Sequence, residues 1–174
     1  MNINEIKAGN SLPEDINVII EIPALAEPIK YEIDKSSGAL NVDRFVSTSM
    51  RYPCNYGFIP HTLAEDGDPI DVLVLTPYPL ASGCLIRCRP IGILRMQDES
   101  GYDVKVLAVP HKKLTPLYDK INTYQDLPEL ITNQITHFFE HYKDLEPGKW
   151  VKMDKWDSIE VAHQEIMKGI ERYK

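Results

Sequence analysis

The run Glu65-Asp66-Gly67-Asp68-Pro69-Ile70-Asp71 places three aspartates within six positions and no cation between them. Taken alone, an acidic run is ordinarily a solvated loop. Here Gly67 and Pro69 restrain the backbone, and Asp71 leads directly into Val72-Leu73-Val74-Leu75, so a carboxylate stands at the mouth of a buried strand. A charge at a buried edge requires a counter-ion. Donors that are all oxygen select hard cations such as Mg²⁺ or Mn²⁺. The spacing is not that of an EF-hand loop, because Asp71 and Pro77 occupy the positions of its glycine and its glutamate.

A second acidic group, Asp98, Glu99 and Asp103, is followed by Lys105, and strand alternation puts Asp103 and Lys105 on one face. Lys30 and Glu32 repeat this spacing, Glu21 lies near the end of an earlier apolar run, and Arg44 follows Asp43. A single pair of this kind is ordinarily an exposed salt bridge of little consequence. The recurrence of acid and base on one strand face points instead to a site.

Strands must position most of these groups. Ile16–Ile22, Lys30–Ile33 and Val72–Leu75 have strand character, and Leu85–Met96 and Tyr102–Val109 form a hairpin across Gln97-Asp98-Glu99-Ser100-Gly101. After Pro116 the period changes. Asp126-Leu-Pro-Glu129 has the form of a capping box, and Leu130, Ile131, Ile135, Phe138, Phe139 and Tyr142 follow helical spacing until Pro147-Gly148. Asp157-Ser-Ile-Glu160 opens a second helix with Ile159, Ala162, Ile166 and Ile170 on one stripe. Strands first and helices after them predict an α+β fold, a small barrel flanked by two helices in the C-terminal half, in one domain spanning residues 1–174.

Composition narrows the partners. A formal charge of −7 disfavours a nucleic-acid backbone as ligand, so an anionic substrate must arrive with metal. No apolar run approaches a membrane span, and the first residues lack a secretory pattern, which predicts a cytoplasmic protein without a membrane partner. Cys54, Cys84 and Cys88 lack the paired spacing of a zinc site and are expected to be buried or idle thiols.

Asp66-Gly-Asp-Pro-Ile-Asp-Val72 resembles the signature of the family I soluble inorganic pyrophosphatases, bacterial hexameric type. Tyr52-Pro-Cys-Asn-Tyr-Gly-Phe-Ile-Pro60, Ile29-Lys-Tyr-Glu32, Val42-Asp-Arg44 and His141-Tyr-Lys143 resemble other family segments in the same order, and the likeness runs from about Leu12 to Lys152. It implies a closed five-stranded OB-like β-barrel. It also implies metal binding by Asp66, Asp71 and Asp103, completed by Asp98 and Glu32, with Glu21 and Glu99 as supporting acids. Lys30, Arg44, Tyr56, Lys105, Tyr142 and Lys143 would hold phosphate oxygens, and Asp68 would be the general base. The implied cofactor is Mg²⁺, several ions per site, with Mn²⁺ or Zn²⁺ as substitutes and Ca²⁺ as inhibitor. The implied reaction is hydrolysis of pyrophosphate to two phosphates by in-line attack of a water shared between metal ions. The site's eight carboxylates outnumber its four cations by four, so it attracts an anion only once metal has entered.

Two rival readings remain open on the residues alone. His137-Phe-Phe-Glu140-His141 fits the His-x-x-Glu-His pattern of a zinc peptidase class, although little chain follows in which a further acidic ligand would lie. The alternative for the same helix is that His137 and His141 face away from the core and, with Asp144, form a subunit contact of a homohexamer built as a dimer of trimers. The other rival, an OB-type module that binds single strands, needs a basic groove where this chain is acidic. Arg51, ahead of Tyr52-Pro53, carries no assigned role.

Overall fold

The computed structural model describes residues 2–174. The elements follow one another as β1 (Gly9–Ser11), β2 (Asp15–Ile22), β3 (Ile29–Ile33), β4 (Leu40–Phe45), β5 (Asn55–Phe58), β6 (Asp71–Val74), β7 (Leu85–Asp98), β8 (Gly101–Pro110), α1 (Glu129–His141), β9 (Val151–Asp157) and α2 (Ile159–Tyr173). The main sheet runs β1-β2-β5-β6-β8-β7-β9, and β2 pairs with β7 as well, so the pairings of β2, β5, β6, β8 and β7 return on themselves. Only β6 and β8 run parallel within this sheet, with Asp71 opposite Lys105. β3 and β4 form a separate hairpin, with Lys30 opposite Arg44.

Helices cover β6 and β8 on both faces, which is why Val72–Val74 and Val106–Val109 are continuous apolar runs. Val72, Val74, Val106 and Ala108 pack with Ala162 and Ile166 of α2. Leu73, Leu107 and Val109 face the other way and pack with Ile135, Phe138 and Phe139 of α1. Period-two alternation then places Asp71, Asp103 and Lys105 on the face that α1 covers, in line with Leu73 and Leu107. The close pairing of β5 with β2 requires a glycine: a Cβ on Gly57 would lie 2.0 Å from the Ile19 carbonyl oxygen.

The α+β character, the β7–β8 hairpin and both helices agree with the sequence reading. Several details differ. β1, β4, β5 and β9 carry too few apolar residues, or are too short, to be legible as strands. The capping box belongs to a 3-10 turn at Tyr124–Asp126, where Asp126 Oδ2 accepts from the Thr123 amide at 2.9 Å, while Pro128 precedes α1 without a side-chain cap. Asp157 ends β9 and pairs with Arg95 rather than capping α2, and Leu130 is exposed rather than part of the core. No helix among the described residues is long and apolar enough to cross a membrane.

Candidate active site

β6 and β8 deliver the central charges. Lys105 is buried, and its Nζ lies 2.5 Å from Asp71 Oδ2 and 2.7 Å from Asp103 Oδ1. It also reaches the Tyr56 hydroxyl at 3.5 Å. Burial alone would lower the Lys105 pKa, but Asp103 and Asp71 more than offset this and hold the ammonium charged, well above its usual range. Asp103 is pushed up to about 6, chiefly by burial, against the pull of Lys105 and with repulsion from Asp71 added. Asp66 is also raised, by burial first and then by the neighbouring acids, and its Oδ1 accepts from the Asp68 amide at 3.0 Å, which folds the acidic loop on itself.

Glu21, Lys30, Glu32, Tyr56, Asp68 and Asp71 line one cleft. Asp43 Oδ2 joins Lys30 Nζ (3.0 Å) to Arg44 (3.2 Å), and Arg44 Nε lies 3.3 Å from Glu146 Oε1. The end of α1 supplies the far wall. Tyr142 is its C-cap, and the next residue, Lys143, places Nζ 2.7 Å from Asp98 Oδ2 and 3.4 Å from Glu99 Oε1. Against the cost of burial, the hydrogen bond from Lys149 and the charges of Lys143 and Lys149 hold Glu99 down to about 2. Tyr52 ties these parts together: its ring lies 4.6 Å from Phe138 and 5.3 Å from Tyr56, and Phe138 stacks on Tyr142 at 5.1 Å. Burial raises the pKa of Tyr52, Tyr56 and Tyr142, so their hydroxyls stay protonated and able to donate.

Of the residues assigned to metal and substrate, Glu21, Lys30, Glu32, Tyr56, Asp68 and Asp71 line the cleft, Asp103 joins them through Lys105, Asp66 through the Asp68 amide and Arg44 through Asp43, while Lys143, Asp98 and Glu99 form a second group beside Tyr142. Reasoning from sequence missed Lys35 and Phe58 in the cleft wall, and Glu146 and Lys149 beside Arg44 and Glu99. None of them sits in an acidic run or forms an ion pair with a residue close in sequence. Arg51 now has a place: its guanidinium donates to both Glu27 oxygens (2.9 and 3.0 Å) and to the Leu25 carbonyl (3.1 Å), fastening the turn after β2. Cys54 and Cys88 are buried, and burial pushes the Cys54 thiol up to about 12.

Among the described residues no group of three histidine, cysteine or acidic side chains stands together as a ready ion cage. In the acidic cluster the reason is visible: Asp71 and Asp103 turn onto Lys105, and Asp98 and Glu99 onto Lys143. The donor chemistry nevertheless fits a divalent ion. It is all oxygen, and a single ammonium compensates the largely covered Asp71 and Asp103 while Asp66 and Asp103 are both raised. At the His137-x-x-Glu140-His141 segment the histidine rings lie 4.6 Å apart and His141 Nδ1 is 2.9 Å from Asp144 Oδ2, all at the surface side of α1.

The family model described as "Inorganic pyrophosphatase" matches residues 18–174. The inorganic pyrophosphatase of Salmonella typhimurium is 65% identical over 172 residues, covering 99% of this chain and 98% of that protein. The inorganic pyrophosphatase of Escherichia coli K12 is 63% identical over 174 residues, covering 100% of this chain and 99% of that one. Among solved structures, the inorganic pyrophosphatase of Coxiella burnetii superposes with a TM-score of 0.94 at 54% identity, covering 97% of this chain and 100% of that chain.

Proposed function

The chain belongs to the inorganic pyrophosphatase family, and we propose that it hydrolyses pyrophosphate to two phosphates in the cleft between Asp68, Asp71, Lys30 and Tyr56. One observation carries the reading: a buried lysine shared by two desolvated carboxylates opens onto a cleft that holds a further free carboxylate and a lysine. Lys30, Arg44, Lys105 and Lys143 bind the phosphate oxygens of the substrate, and the Tyr56 and Tyr142 hydroxyls orient them by donating hydrogen bonds. Asp68 lines the cleft and takes the proton of the attacking water; that water's oxygen bonds to one phosphorus in line with the bridging oxygen, which leaves on the other phosphate. Divalent ions held by Asp66, Asp71, Asp103, Asp98 and Glu32 supply charge neutralisation and a more acidic water, Mg²⁺ foremost, with Mn²⁺ or Zn²⁺ as substitutes and Ca²⁺ as inhibitor. Glu21 and Glu99 act as supporting acids through their lysine partners.

The same reading takes the ring of strand pairings as an OB-like barrel, and residues 1–174 as one catalytic domain working in the cytoplasm. It takes the His137, His141 and Asp144 face of α1 as a contact within a dimer of trimers; the exposure of His137 and Asp144 supports this. The deciding experiment is phosphate release from pyrophosphate before and after chelation. Activity that depends on added Mg²⁺ and is suppressed by Ca²⁺ is the expected result. Undiminished activity after complete chelation would overturn the metal assignment, and no phosphate release under any metal would overturn the function.

A further inference from the structure

We propose that Lys35 is a positioning residue of this site, fixing the Glu21 carboxylate in the cleft wall; the inference rests on the pyrophosphate-hydrolysing reading above. Lys35 lies just past β3, and its Nζ is held from three directions. It donates to Glu21 Oε1 on β2 at 3.2 Å and to the Ile33 carbonyl at 2.9 Å, and it sits 3.9 Å from the centroid of the Phe58 ring on β5. The same Glu21 oxygen accepts from the Ile33 amide at 2.8 Å. Glu21, the end of β3 and β5 are thereby joined at one ammonium.

The asymmetry of the pair says which partner serves which. The Glu21 side chain is 6% exposed and the Lys35 side chain 38%, so the carboxylate has lost its water and depends on the ammonium, while the ammonium still reaches solvent. Among the described residues Lys35 is the cation within ion-pair distance of Glu21. The aromatic face of Phe58 shields the lysine's other side and adds a cation–π attraction. Lys35 and Glu21 both border the cleft that holds Lys30, Asp68 and Asp71. A shift of Glu21 would therefore displace the wall against which the metal-binding and substrate-binding groups are set. The acids nearest in sequence, Glu32 and Asp34, do not mark this role of Lys35, because its partner Glu21 lies on another strand.

The test compares the full-length enzyme with Lys35→Met, Lys35→Arg, Glu21→Gln and the Glu21→Gln/Lys35→Met double variant, in steady-state phosphate release from pyrophosphate at saturating Mg²⁺. Loss of a partner that orients a site group typically costs about 10–100-fold. Lys35→Met is expected to lose kcat in that range with KM for pyrophosphate nearly unchanged, Lys35→Arg to recover most of it, and the double variant to be no slower than Glu21→Gln alone. Independent, multiplying losses in the double variant, or a rise confined to KM, would overturn the inference by making Lys35 a direct grip on substrate. Wild-type kcat in Lys35→Met would overturn it outright. Should Lys35→Met fail to melt cooperatively, Lys35→Gln enters the same cycle in its place. A wild-type chain that releases no phosphate would overturn the functional reading itself, a result separable from any of these.

Discussion

Lys105 and Asp71 are direct register partners across the parallel pair β6–β8, and their side chains meet at 2.5 Å on the face covered by α1. The ammonium also serves Asp103, so removing it leaves two desolvated carboxylates facing each other.

Lys105→Met is therefore expected to destabilise the metal-free protein by roughly 3–5 kcal/mol, as removal of one partner from a buried ion pair does. Divalent ions should return part of that stability by supplying the missing positive charge. Because Lys105 is also assigned to the substrate's oxygens, kcat should fall by about 10²–10³-fold even where the fold is restored. Thermal melts with and without Mg²⁺, alongside phosphate release, check both halves. A variant with unaltered melting in the absence of metal would show that the carboxylates do not need the lysine.

The acid dependence of stability can be worked out for the Asp15–Arg87 pair. Arg87 Nε donates to both Asp15 oxygens (2.7 and 2.9 Å), and this hydrogen bonding is the chief reason the Asp15 pKa is lowered. A depressed carboxylate contributes its stability above the unfolded pKa of about 3.9 and loses it as pH falls through the lower folded value. Asp15→Asn should melt below the wild type at neutral pH, and the gap should close as the medium is acidified below about pH 4. Melting curves across pH 2.5 to 7 report it directly. A gap that stays constant or widens in acid would contradict the assignment.

What the sequence disclosed depended on how local the signal was. Asp66, Asp68 and Asp71 lie within a single turn and strand start, and Asp103 and Lys105 on one strand, so their proximity follows from short-range geometry. The apolar runs of β2, β7 and β8 were legible because helices and strands bury them on both faces. β4 was not, since its residues are mostly exposed and are ordered only by pairing with β3. Glu146 meets Arg44 across about a hundred positions of chain, and Lys35 meets Phe58 only because β3 folds back over β5. No sequence pattern announces contacts of that range. The capping box was misplaced for a different reason: Asp126 is suited both to cap a helix and to receive amides from a preceding turn, and Pro128 leaves the second use in force.

The surface of α1 permits a test of assembly. His137 and His141 stand with their rings 4.6 Å apart, and His141 is held to Asp144 at 2.9 Å, a polar group presented away from the Phe138–Phe139 core. If this face joins trimers into a hexamer, His137→Ala/His141→Ala should move the light-scattering mass from six subunits toward three without changing the fold of the subunit. An unchanged mass at low protein concentration would place the contact elsewhere.

The last prediction separates the base from the ligands in the acidic loop. Asp68 is exposed in the cleft and its amide is bound by Asp66, whereas Asp71 is tied to Lys105. Replacing Asp68 by Asn should thus leave the loop and metal affinity nearly intact while removing a proton acceptor. The expected loss in kcat is about 10²–10⁴-fold, the contribution of a positioned base, which corresponds to roughly 3–5 kcal/mol of barrier. Asp71→Asn removes charge from a proposed ligand and loosens the partner of Lys105, so metal affinity and turnover should fall together and recover in part at high Mg²⁺. Metal titration discriminates the two: the Mg²⁺ concentration for half-maximal rate should rise in Asp71→Asn and stay near wild type in Asp68→Asn. Rescue of Asp68→Asn by excess Mg²⁺, with none for Asp71→Asn, would reverse the two roles.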